Sequence, residues 1–139
     1  MSVPDPVVTM DVMFDDEPMS GAQLKMTLQG LGLPPSWFAA RLGVTMRTVV
    51  RWFDSKKIPE RARTELQKVY DQTLEEMRTM AASVGDNETV LYTFRTDAES
   101  TGEWPASWHR SLTFRVAEHL KANGHAVRVE YRWIPMELP

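Results

Sequence analysis

The segment Pro35–Asp54, PSWFAARLGVTMRTVVRWFD, constrains the fold more tightly than any other part of the chain. Ala39 is small where one helix must approach another closely. Gly43 follows four residues later, where the chain must turn with φ > 0, a conformation that glycine adopts without a Cβ clash. Phe38, Leu42, Val44, Val49 and Trp52 fall on the inward-facing positions of two short helices. Thr45 precedes the second helix as an N-cap, its hydroxyl able to accept an orphan backbone N–H. A single glycine between apolar runs would say little. Ala39, Gly43, Val49 and Trp52 together, at these offsets, specify two helices and a tight turn.

The chain has 139 residues, 42% of them hydrophobic, which suits one ordinary globular domain or two very small ones. It has no cysteine, so neither a disulfide framework nor a thiolate metal site is expected. No apolar run approaches the roughly 20 residues of a membrane span. The N-terminus is acidic and does not resemble a secretory signal, so the expected location is cytoplasmic, with no membrane partner. The formal net charge is −3, but it is unevenly distributed. Residues 1–19 hold five acids and no base, and residues 69–139 hold eleven acids and seven bases. Residues 20–68 hold nine bases (Lys25, Arg41, Arg47, Arg51, Lys56, Lys57, Arg61, Arg63, Lys68) against three acids. Local charge sets the footprint for phosphate, so the positive balance coincides with the two-helix segment.

The expected architecture is α+β: an N-terminal all-α unit, a long connecting helix and a small C-terminal β-α-β unit. Residues 1–19, with three prolines, read as a flexible acidic arm, in which Val7–Phe14 has some β character. Residues 20–82 read as the helical domain. Ser20 caps a helix that reaches Leu31, with Leu24, Leu28 and Leu31 on one face. Pro35–Leu42 and Met46–Phe53 form the motif helices. A helix over Pro59–Ala82 carries an apolar stripe of Ala62, Leu66, Val69, Tyr70, Leu74, Met77 and Ala81. Residues 88–135 read as the β-α-β unit: a strand at Val90–Arg95, a helix at Ala106–Ala122 and a strand at Ala126–Trp133. The helix carries Trp108, Leu112, Val116 and Leu120 at i, i+4 spacing. In the last strand Val127, Val129, Tyr131 and Trp133 point one way. Two strands and one helix are marginal alone, so the unit is expected to dimerise or hold a partner, with Trp104 or Trp133 as contacts.

The run Gly43-Val44-Thr45-Met46-Arg47-Thr48-Val49-Val50-Arg51-Trp52, followed by Ile58-Pro59, resembles the helix-turn-helix of Cro/C1 (Xre) type regulators. The resemblance covers Ser20 to about Leu66. It implies a lambda-repressor-like domain of five helices that binds operator DNA, usually as a homodimer. The layout of the whole chain also resembles YdiL-like and anti-CRISPR-associated phage regulators. Four positions depart from the family pattern: Pro35 stands where a Gln often anchors a phosphate, Phe53 where Glu is common, Ser55 where Gly is common, and Val50 where many relatives carry a polar residue.

A recognition helix meets base edges with its N-terminal residues. Met46 and Arg47 open the second helix, and Arg51 lies one turn on. Each arginine can donate two hydrogen bonds to guanine O6 and N7, and Met46 can touch a thymine methyl. Val50 either touches a thymine methyl or sits at the groove edge. Thr45 and Thr48 suit phosphate. Lys56, Lys57, Arg61 and Arg63 suit phosphate as well, positioning the chain without reading sequence.

An enzyme is not expected. His109 and His119 lie ten apart on one helix and face different directions, and His125 stands apart. There is no phosphate-binding glycine loop, zinc-protease helix motif or nucleophile elbow. No cofactor or metal is expected, and the nine methionines read as core filler. The expected function is a sequence-specific double-stranded-DNA-binding transcriptional regulator, a dimeric repressor on an inverted repeat. The alternatives are an antitoxin or interaction module whose C-terminal unit binds a protein partner, and an RNA-binding regulator using the same basic face.

Overall fold

Ser20 begins the first helix through a reciprocal cap. Its Oγ accepts the Gln23 backbone N–H at 3.2 Å, and Gln23 Oε1 accepts the Ser20 N–H at 3.1 Å. The computed structural model describes residues 18–100 and 102–132. Among them are α1 (Gly21–Gly30), α2 (Pro35–Leu42), α3 (Met46–Trp52), α4 (Glu60–Ala81), β1 (Thr89–Thr93), α5 (Ala106–Ala122) and β2 (Val127–Tyr131). The architecture is α+β, five helices and a two-stranded parallel sheet. None of these helices is long and apolar enough to cross a membrane. The acidic arm, with the strand-like Val7–Phe14, lies outside the described residues apart from its last two, as does Trp133. Met19 lies at the end of that arm by its sequence, yet it is buried in the core and its carbonyl accepts the Ile58 N–H at 2.9 Å.

The apolar stripes of the sequence converge on one core. Leu24, Leu28 and Leu31 from the first helical segment join Phe38, Ala39 and Val49. Ala62, Leu66, Val69, Tyr70, Leu74 and Met77 from α4 join them in turn, and Leu91, Trp108, Leu112, Val116 and Leu120 complete the cluster. At 22 residues α4 is roughly 33 Å long, enough to back both the N-terminal helices and α5. The first helix meets the loop after α3 backbone to backbone: Gly21 N–H donates to Ser55 O at 2.8 Å. A Cβ at Gly21 would collide with the carbonyls of Trp52 and Phe53, so only glycine permits this approach.

The β-α-β unit docks on the helices. Gly30 and Gly32 at the end of α1 present carbonyls that would otherwise lack partners. Ser107 Oγ donates to Gly32 O at 2.6 Å, Ser111 Oγ to Gly30 O at 2.6 Å and the Arg115 guanidinium to Gly30 O at 2.9 Å. Trp108 Nε1 donates to Thr73 Oγ1 at 2.9 Å inside the core, and Thr73 Oγ1 donates to Val69 O. Trp104 is half-buried: it stacks on Trp108 at 4.2 Å and lies tilted against Trp37 of α2 at 4.8 Å between ring centroids. The Trp37 Nε1 donates to Glu103 O at 2.7 Å, which ties the loop before α5 to α2.

In the sheet Thr89 pairs with Val127, Leu91 with Val129 and Thr93 with Tyr131. The first strand ends two residues earlier than its sequence predicts. The Phe94 and Arg95 carbonyls turn away to accept the Arg110 guanidinium at 2.8 and 2.7 Å. Leu91 and Thr93 are buried, but Val129 and Tyr131 on the same sheet face stay 41% and 53% exposed, where with Arg110 and Phe114 of α5 they line an open groove.

Candidate nucleic-acid interface

The Gly43 backbone sets the geometry of α2 and α3. Gly43 has φ 68° and ψ 30°, and no atom lies within 4 Å of a Cβ built there, so conformation and not space demands glycine. Its N–H and that of Val44 return to the carbonyls of Ala40 and Ala39, closing α2. Thr45 then caps α3: its Oγ1 accepts the Thr48 N–H at 3.2 Å and lies 3.0 Å from Thr48 Oγ1. Val49 is fully buried and Trp52 half-buried, which fixes the rotation of α3 about its axis.

That rotation sends Met46, Arg47, Val50 and Arg51 outward. Met46 is 54% and Val50 44% exposed, so both are accessible to a partner surface. Thr45 is exposed and Thr48 half-buried, and their hydroxyls already meet, so either one can offer a phosphate only what the cap leaves over. Lys56, Lys57 and Arg61, on the loop after α3 and the first turn of α4, are exposed too.

The basic residues divide into two groups. Arg41 is held by Glu65 at 2.8 Å and lies over the rings of Trp37 and Trp104. Arg63 sits 3.6 Å from Glu60 and is partly buried, so its fit as a phosphate contact is poorer than its sequence position suggests. Arg110 and Arg115 are committed to backbone carbonyls, and Arg95 and Arg128 pair with nearby glutamates. Arg47, Arg51, Lys56, Lys57 and Arg61 form no ion pair or side-chain hydrogen bond with any described residue. Uncompensated positive charge on α3, the loop after it and the first turn of α4 suits a polyanion. The sequence identified these residues, but it could not separate them from Arg41 and Arg63, whose partners come from residues brought near only by folding or by a helical turn.

Elsewhere, His109 lies between β1 and α5, with Nδ1 2.8 Å from Thr93 Oγ1 and 3.3 Å from Thr113 Oγ1. Burial holds its pKa below the ordinary value of 6.5. Below about pH 6.5 the unfolded chain therefore takes up a proton that the folded chain resists. This contribution to stability is fully present above that pH and is lost as pH falls toward the depressed folded value. Thermal melts from pH 7.5 to 5.5 should show a steeper drop in Tm for the wild type than for His109→Gln, and equal slopes would contradict it. Among the described residues no three His, Asp or Glu side chains cluster to hold a metal ion.

No protein-family model matches the chain, and no curated protein sequence matches it significantly.

Proposed function

We propose that the chain is a sequence-specific double-stranded-DNA-binding transcriptional regulator that acts as a dimeric repressor. In this reading α2 and α3 form a helix-turn-helix, within the lambda-repressor-like arrangement that the sequence resembles, and α3 is the recognition helix. The observation that carries it is the pair Arg47 and Arg51, exposed and unpaired on α3, while most other arginines of the described residues have internal partners. Arg47 and Arg51 read guanines in the major groove, and Met46 and Val50 meet thymine methyls beside them. Thr45, Thr48, Lys56, Lys57 and Arg61 hold phosphates and set the docking angle. A dimer places its two α3 helices about 34 Å apart, in successive major grooves of an inverted repeat. Bound over a promoter, it blocks polymerase.

In vitro selection from random duplexes tests this reading. The expected product is an enriched inverted repeat bound at least about a thousandfold more tightly than random duplex at physiological salt. Selection that enriches nothing, or an RNA hairpin that outcompetes every duplex, would overturn it.

A further inference from the structure

The sheet has an open side. Its order is β1-β2, so among the described residues no strand lies on the far edge of β2. Hydrogen bonds fix which groups face that edge. Thr89 N–H donates to Ala126 O at 2.9 Å, and Arg132 N–H donates to Thr93 O at 2.7 Å. Residues alternate in direction along a strand, so the even-numbered residues of β2 bond to β1. Val127, Val129 and Tyr131 therefore direct their backbone N–H and C=O groups outward.

We propose that this edge pairs with the same edge of a second copy of the chain, antiparallel and centred on Val129. The inference stands on the strand edge and is independent of the DNA reading. Antiparallel pairing of the outward groups requires odd residues to oppose odd residues. Three symmetric registers keep three or more residues of β2 paired, centred on Arg128, Val129 or Glu130. The first sets Arg128 against Arg128 of the second copy, and the third sets Glu130 against Glu130. Only the register on Val129 opposes Arg128 to Glu130, and by symmetry it does so twice. It also pairs the whole strand, with Val127 opposite Tyr131 and Val129 opposite itself, all apolar and on one face.

Two further features agree. Arg128 and Glu130 already approach within 3.2 Å in one chain with side chains 56% and 45% exposed, so they can form an alternating-charge square across the seam. On the opposite sheet face Phe114, Val129 and Tyr131 are 64%, 41% and 53% exposed. With Arg110 and Thr93 they line an open groove of about 360 Å³ beside the free edge. A second β-α-β unit would cover this strip and turn a marginal two-stranded sheet into one of four strands.

Charge exchange in the full-length protein tests the register. Sedimentation equilibrium without DNA should show a dimer for the wild type. Arg128→Glu and Glu130→Arg should each weaken self-association by about tenfold or more, through like-charge pairs. Mixed together, the two variants should form a heterodimer, because Glu at 128 then meets Arg at 130 across one pair and the native Glu130 meets the native Arg128 across the other. Val129→Pro should be monomeric with an unchanged helical circular dichroism spectrum, since its N–H serves no bond to β1. A wild-type monomer would overturn the proposal. Slow exchange of the Val127, Val129 and Tyr131 amides in that monomer would place a segment of the same chain on the edge, and fast exchange would leave the edge to another protein. Single variants that dimerise as the wild type does, or a mixture that stays monomeric, would overturn the register. A monomeric result leaves recognition by α3 untouched.

Discussion

The double variant Arg47→Ala/Arg51→Ala is expected to lose its preference for the selected duplex while keeping its fold. Each bidentate arginine–guanine contact contributes about 1–3 kcal/mol of discrimination, so losing two lowers specific affinity by about 30-fold to 10⁴-fold for each half-site engaged. The side chains are exposed and unpaired, so unfolding free energy should change by no more than about 0.5 kcal/mol. Binding to random duplex should fall less than binding to the selected site, and the specificity ratio should collapse. Lys57→Ala is the contrasting case. It should weaken selected and random duplexes alike and reduce the slope of log K against log salt by about one per protomer. Fluorescence anisotropy at several salt concentrations separates the two. If both substitutions acted equally on specific and random DNA, α3 would not be reading bases.

Phe38→Ala is expected to cost about 3–5 kcal/mol of folding stability, a large share of the roughly 5–15 kcal/mol available to a typical domain. Phe38 is fully buried at the inner face of α2, among side chains that also fix α3. Removing the ring leaves a cavity that flanking helices, held by the Gly43 turn and by the Trp37–Trp104 contact, cannot easily collapse to fill. Met26→Ala, on the 63% exposed side of α1, is the control and should change stability by no more than about 0.5 kcal/mol. Urea denaturation read by tryptophan fluorescence measures both. A small effect at Phe38 would mean that α2 and α3 are not packed as described.

The helices were largely legible because their signals are local. Ser20, Gly43 and Thr45 mark ends through hydrogen bonds made within three to five residues, and the stripes on α4 and α5 follow the helical period. Which elements meet was not legible. Ser107, Ser111 and Arg115 reach carbonyls of Gly30 and Gly32 from 75 to 85 residues away, and no periodicity encodes that distance. Gly21 reads as an ordinary early-helix glycine until the Trp52 and Phe53 carbonyls are placed against it. The last strand misled in one respect. Its alternation sets Val127, Val129 and Tyr131 on one apolar face, but only Val127 packs against the core, and Val129 and Tyr131 stay exposed. At the candidate interface the residue types were legible, whereas the division between committed and free arginines needed the fold. Arg41 and Arg51 look alike in sequence, and only Glu65, Trp37 and Trp104 distinguish them.

The most direct test of DNA recognition by α3 is to titrate the selected duplex into uniformly ¹⁵N-labelled protein and map the amide shifts. The largest perturbations should fall on Thr45–Arg51, with a second group at Lys56, Lys57 and Arg61, and α5 and β2 should move little. Perturbations centred on α5 and β2, or none above those caused by random duplex, would contradict recognition by α3.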